Sequence, residues 1–275
     1  MRRTIYCIIF LIGLSSVVIA QEYEQLINES YEHAATDNYA AAEECLKAAM
    51  RIEPGNRLNY ALLTNLGTLQ RRQGKLEEAL MSYSAALGLQ PDNELTLMNR
   101  AELYTQMNDV DKAIYDYNTL LAEHPNNEQA LFNRGLLYIR TGEFVPAEQD
   151  FENIIKTNEG TFLGRFGYAI LEKARGNFDD SEAIFNYLAD KYKDNVRVLE
   201  ERAELYFLTK RNYRAITDIN KVFAAVAQPS AEMYMLRGRI KLAQYEKESA
   251  AIDFRKAAEL GYDKTTVDKL IKECL

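Results

Sequence analysis

The 275-residue chain has no tryptophan, five prolines, two histidines and three cysteines. With so few prolines and no Ser-rich or low-complexity stretch, it carries no recognisable linker or disordered tract. The two histidines, His33 and His124, have no Cys, Asp or Glu partner at metal-ligand spacing, so no zinc site is expected. No HExxH, glycine-rich phosphate loop or GxSxG occurs. The many carboxylates include no pair distinguished by position. The expectation is a protein that is not an enzyme, with no metal and no cofactor, and with both histidines structural.

Basic residues are also in deficit, 33 Lys and Arg against 41 Asp and Glu, for a net charge of −8. That balance disfavours nucleic acid and anionic membrane surfaces as partners. The chain has one long apolar run, from Ile5 to about Val18, preceded by Arg2-Arg3 and followed by Val18-Ile19-Ala20. Residues 1–20 read as a secretory signal peptide, with Gln21 starting the mature chain and the bacterial periplasm as its destination. The run falls short of the ~20 residues a bilayer span needs, so no membrane span is expected in the mature form. Losing Arg2 and Arg3 takes the net charge from −8 to −10.

What the remaining chain does have is periodicity. Ser30, Gly67, Ala101, Gly135, Ala169, Ala203 and Gly238 follow at intervals of 37, 34, 34, 34, 34 and 35 residues. Twelve residues after each stands a second small residue: Ala42, Ala79, Ala113, Ala147, Ser181, Ala215 and Ala250. Four further on comes a large apolar one: Leu46, Tyr83, Tyr117, Phe151, Phe185, Ile219 and Phe254. In Glu94–Asn127 the spacing predicts two helices interrupted at Asn108-Asp109, with Asn126-Asn127 offering caps for the next. Neither helix can bury its stripe alone, so such units must stack, with small residues where helix axes cross at about 8–10 Å.

Stretches such as LTNLGTLQRRQGKLEEALMSYSAALGLQP and LMNRAELYTQMNDVDKAIYDYNTLLAEHP resemble the tetratricopeptide repeat family. The resemblance covers nearly everything after residue 20. The family's tryptophan slot holds Leu63, Leu97, Leu131 and Leu199, but Arg165 in the fifth copy. Its closing proline is present as Pro54, Pro91 and Pro125, and replaced by Glu159 and Lys193 later. The resemblance implies an all-α fold, a right-handed α-α superhelix of seven helix–turn–helix repeats. These run approximately over 23–56, 60–93, 94–127, 128–161, 162–195, 196–230 and 231–264. A helix at 263–275 would cap one continuous array. Cys45 and Cys274 would then lie at opposite ends, too far apart for a disulfide.

Two patterns bear on function. Arg100, Arg134, Arg202 and Arg237 each precede the first small slot, and Asp116, Asp150, Asp218 and Asp253 follow sixteen residues later in the same repeats. The other three repeats lack both. Intra-repeat Arg–Asp pairs that fix the interhelix angle are expected, each worth ~0.2–1 kcal/mol if partly exposed. The second pattern follows from the resemblance, which implies that first helices line a groove for a partner protein, as a peptide or an amphipathic helix. The positions carried over are Met98, Glu102, Phe132, Leu136, Ile139, Phe166 and Ile170, with Arg71, Arg72, Arg140 and Lys173 at the edges. The basic edges favour a partner with an acidic flank or a terminal carboxylate. The family's clamp for acidic C-termini of chaperones has no counterpart in three consecutive repeats. A structural homo-oligomer joined through groove or terminal repeats is the rival reading. Gly160, Gly164 and Gly167 predict a bend between repeats four and five that adjusts the groove to its ligand.

Overall fold

The computed structural model describes the backbone of residues 2–275 and the side chains of residues 18–275. Most of the expected leader, residues 1–17, therefore lies outside the described side chains. No described helix is long and apolar enough to cross a membrane. The described residues form helices joined by short turns, with no strand among them. They fall into two compact units, Met1–Ala130 and Leu131–Leu275.

The first unit holds α1 (Arg2–Ala35), α2 (Tyr39–Ile52), α3 (Asn59–Arg72), α4 (Leu76–Leu89), α5 (Glu94–Gln106) and α6 (Val110–Glu123). α7 (Glu128–Thr141) begins at its end. The second unit continues with α8 (Phe144–Thr157), α9 (Phe162–Arg175), α10 (Phe178–Lys191), α11 (Val196–Leu208) and α12 (Asn212–Ala225). It ends with α13 (Ala231–Ala243), α14 (Lys247–Glu259) and α15 (Lys264–Cys274). Odd-numbered helices up to α13 are the first members of hairpins and the following even-numbered helices the second.

Local chemistry sets the helix ends. The Asn93, Asn195, Ser230 and Asp263 side chains accept from the backbone N–H three residues on, capping α5, α11, α13 and α15. Asn127 does the same for Ala130 at 2.9 Å. Such caps satisfy donors that a helix start leaves orphaned. Each turn inside a hairpin passes through one residue of positive φ: Asp37, Gly74, Asn108, Gly142, Gly176, Lys210 or Tyr245.

The slots explain why the helices of a hairpin approach so closely. All seven large slot residues are buried, from Leu46 to Phe254. A Cβ placed on Gly67 would stand 2.7 Å from the Tyr83 ring, and one on Gly238 2.6 Å from the Phe254 ring. The rings therefore lie directly on glycine backbone. Phe151 is enclosed twice: a Cβ on Gly135 would come within 2.6 Å of it, and one on Gly167 within 2.4 Å. Gly164 meets Ile155 in the same manner, at 2.7 Å. Gly164 and Gly167, two of the glycines expected to accompany a bend between repeats four and five, are thus close-packing positions inside a continuous α9. At the other end, α15 buries Val267 against Met235, Phe254 and Ala257.

Candidate functional site

The four arginine–aspartate pairs are bidentate. Arg100 donates from Nε and Nη2 to Asp116 at 2.7 Å each. Arg134 reaches Asp150 at 2.9 and 2.5 Å, Arg202 reaches Asp218 at 2.7 and 3.0 Å, and Arg237 reaches Asp253 at 2.9 and 2.6 Å. The aspartate side chains are at most 5% exposed. With the carboxylates enclosed, removing an arginine would strand a buried charge at a cost of about 3–5 kcal/mol, a quantity distinct from the ~0.2–1 kcal/mol that a partly exposed pair contributes net. The hydrogen bonds to Asp116 hold Arg100 above its ordinary pKa against the opposing effect of burial. A further hydrogen bond links Arg100 to Ser84 at 3.2 Å and Arg202 to Asn186 at 3.0 Å, both on the second helix of the preceding hairpin.

A second charged set joins successive hairpins and was not anticipated. Glu43, Glu148 and Glu182 each follow the second small slot, where Leu80, Ile114 and Ile216 stand in other repeats. Glu43, 2% exposed, accepts from Gln70, Gln73 and Lys75 of the next hairpin, at 3.2, 2.9 and 3.0 Å. Glu148 accepts from Tyr168 and Arg175, and Glu182 from Arg211 and Arg214. A glutamate at an otherwise apolar slot was the available signal. Burial alone would raise the Glu43 carboxyl, but Lys47, Lys75, Gln73 and Gln70 outweigh it and hold it at about 2.

The face expected to dock a partner needs correction. Phe132 and Phe166 are 1% and 2% exposed. Their rings stack at 6.2 Å, and Phe166 also stacks on Phe162 at 5.0 Å. The Arg197 guanidinium lies over both, 5.2 Å from the Phe132 centroid and 4.9 Å from that of Phe166. Both phenylalanines are core residues, because a side chain arriving from α11 roofs them. Arg197 is two residues before the leucine slot, a position outside the groove register. Leu136, Ile139 and Ile170 remain half-buried in the second unit, and Met98 is half-buried in the first.

Two of the four edge cations are committed to carboxylates. Arg71 pairs with Glu102 at 2.9 Å. Lys173, 10% exposed, pairs with Glu201 at 2.5 Å and also with Glu204. Burial opposes its charge, but the two glutamates prevail and raise its pKa above the ordinary lysine value. Arg72 is exposed and lies over the Tyr39 ring at 5.5 Å, donating to its hydroxyl at 3.2 Å. Arg140 is exposed.

Beyond Lys173 the second unit opens into a concavity of 260 Å³, walled by Glu200, Glu201, Glu204 and Glu232 over Met235 and Tyr262. Glu200 and Glu204 occupy on α11 the register positions of Phe166 and Ile170 on α9, so the groove pattern extended one repeat further would have located them. Among the described residues, no three His, Cys, Asp or Glu side chains are grouped to hold a metal ion. Arg239 completes the lining, so the concavity offers aliphatic contact and an excess of carboxylates over cations.

Comparison with known proteins places these hairpins. The family model described as tetratricopeptide repeat matches residues 28–94 and 98–158. A search of curated proteins gave no match. Among solved structures, a tetratricopeptide repeat protein from Parabacteroides merdae is 54% identical, covering 92% of this chain and 99% of its own, with a TM-score of 0.84. PilW, a type IV pilus biogenesis factor, is 20% identical over 78% of this chain and 96% of its own, with a TM-score of 0.61. Yeast Tom70 is 13% identical over 92% of this chain and 63% of its own, with a TM-score of 0.66. The last two share the fold alone. With 54% identity across nearly the whole of the Parabacteroides protein, and hairpins built on the same small and large slots throughout, the chain belongs to the tetratricopeptide repeat family.

Proposed function

We propose that the protein is an exported, non-enzymatic scaffold of the bacterial periplasm that holds a peptide or amphipathic helix of a partner protein on its first-helix face. The family is in general one of protein-interaction scaffolds. The observation that carries the reading is the set Leu136, Ile139 and Ile170. These aliphatic side chains stay only half-buried on first helices while the slots around them are fully closed. Apolar positions left open at helical spacing suit an apolar stripe from outside. Export rests on Arg2-Arg3, the apolar run after it and Val18-Ile19-Ala20.

Affinity purification from the native envelope tests the reading. Leu136→Ser with Ile170→Ser should abolish partner capture while helicity by circular dichroism is unchanged. Capture that survives the double change refutes the assignment of this face. Phe132 and Phe166 are unsuitable for this purpose, because serine there would open the core. Sedimentation across a concentration series addresses self-association: assembly without any partner would favour the homo-oligomer instead. Mass spectrometry of the exported form should find Gln21 at its start.

A further inference from the structure

The first-helix face of the second unit changes character along the chain. On α7 and α9 it carries Leu136, Ile139 and Ile170, and one turn after Ile170 the Lys173 ammonium is spent on Glu201 and Glu204. On α11 the same register positions are Glu200 and Glu204, and on α13 they are Met235 and Arg239. The resulting concavity sets four carboxylates over an apolar floor of Met235, Leu236 and Tyr262. Its arginine, Arg239, lies over the Phe207 ring at 5.2 Å. Glu200 and Glu232 make no ion pair among the described residues. Burial pushes the Glu200 carboxyl above its usual pKa, and the like charges of Glu201, Glu204 and Glu232 push it further, against a smaller opposing pull from Lys173. A cation brought between these groups would relieve that repulsion, whereas another anion would add to it.

Resting on the scaffold reading above, we infer that this face selects an amphipathic partner segment whose apolar stripe meets Leu136, Ile139 and Ile170 and whose lysine or arginine side chains enter between Glu200 and Glu232. The partner's charge is thus the reverse of the one the basic edge residues suggested. Around the concavity four carboxylates face two cations, Lys173 and Arg239, and Lys173 is already held by Glu201 and Glu204, so the net charge there is negative.

Two synthetic peptides of about 18 residues, ~27 Å long as helices, test the inference by fluorescence anisotropy on the exported protein. Both carry the same Leu/Ala stripe, and their polar positions are Lys in one and Glu in the other. The Lys peptide should bind at least about tenfold more tightly, with an affinity that falls as salt rises. Glu200→Gln with Glu232→Gln should remove most of that preference. Leu136→Ser with Ile170→Ser should weaken the Lys peptide as well. A control variant, Glu22→Gln with Glu24→Gln and Glu32→Gln at exposed positions of α1, should leave it unchanged. Equal or tighter binding of the Glu peptide overturns the inference. So does an equal loss in the control, which would mark diffuse attraction to an acidic protein, or indifference to Leu136 and Ile170. If neither peptide binds, the inference fails, while loss of envelope capture in the Leu136/Ile170 variant would still uphold the docking face itself.

Discussion

Phe151 is held between two backbones, and that arrangement gives a sharp test of how the second unit is packed. A Cβ on Gly167 would stand 2.4 Å from both Cδ1 and Cε1 of the ring, and one on Gly135 2.6 Å from Cε1. Carbon atoms in comfortable contact are about 3.5–4.0 Å apart. The ring would therefore have to move by ~1 Å, and Gly135 already lies against the same Cε1 atom. Phe151 has no exposed surface and its ring lies 6.1 Å from that of Phe132, so the displacement cannot be released into solvent. Overpacking of this kind costs typically 1–3 kcal/mol. For a unit of this size each kcal/mol shifts Tm by roughly 3 °C, so Gly167→Ala should lower Tm by about 3–9 °C. Gly135→Ala with Gly167→Ala should cost more than the sum of the single changes, since each removes the other's relief. Phe151→Leu withdraws the ring atoms in conflict, and in that background Gly167→Ala should cost under about 0.5 kcal/mol. Thermal and urea unfolding followed by circular dichroism measure all of these. An unchanged Tm for Gly167→Ala, or the same cost with leucine at 151, would refute the close-packing account and return Gly167 to a role in bending.

Two further expectations concern buried charge. Asp116→Ala should destabilise by about 3–5 kcal/mol, because it strands the Arg100 guanidinium. The pair replaced together, Arg100→Met with Asp116→Leu, should lie within about 1–2 kcal/mol of the parent, and a double-mutant cycle from urea unfolding would show the difference. Glu43 titrates near 2 in the folded protein and above 4 when unfolded, so its contribution is complete above pH ~4.5 and is lost as pH falls towards 2. Glu43→Gln should therefore flatten the decline of stability between pH 4.5 and about 2, by roughly 3 kcal/mol, in urea unfolding repeated across that range.

How much of this was legible beforehand depends on how far apart in the chain the interacting residues lie. The slots at Ala101, Ala113 and Tyr117, and the sixteen-residue spacing from Arg100 to Asp116, are relations within one hairpin. A hairpin's geometry follows from its own turn and its own small residues, so spacing alone defined the helices, their caps and which arginine faces which aspartate. The depth of those pairs was not visible, because enclosure depends on neighbouring hairpins. Glu43, Glu148 and Glu182 were overlooked because their partners lie some 20 to 32 residues away, in the next copy.

The face that meets a partner was decided by tertiary structure. Register put Phe132 and Phe166 on the same face as Leu136 and Ile170, but Arg197, arriving from α11, covers the rings and leaves the aliphatic residues half-open. Register also counted Arg71 and Lys173 as free cations, whereas folding sets Glu102, Glu201 and Glu204 against them. The amino-acid sequence by itself determined an array of helical hairpins, because a repeated local pattern admits one local solution. Which side chains remain open, and with which charge, is a property of adjacent copies packed together, and periodicity within one copy carries no record of it.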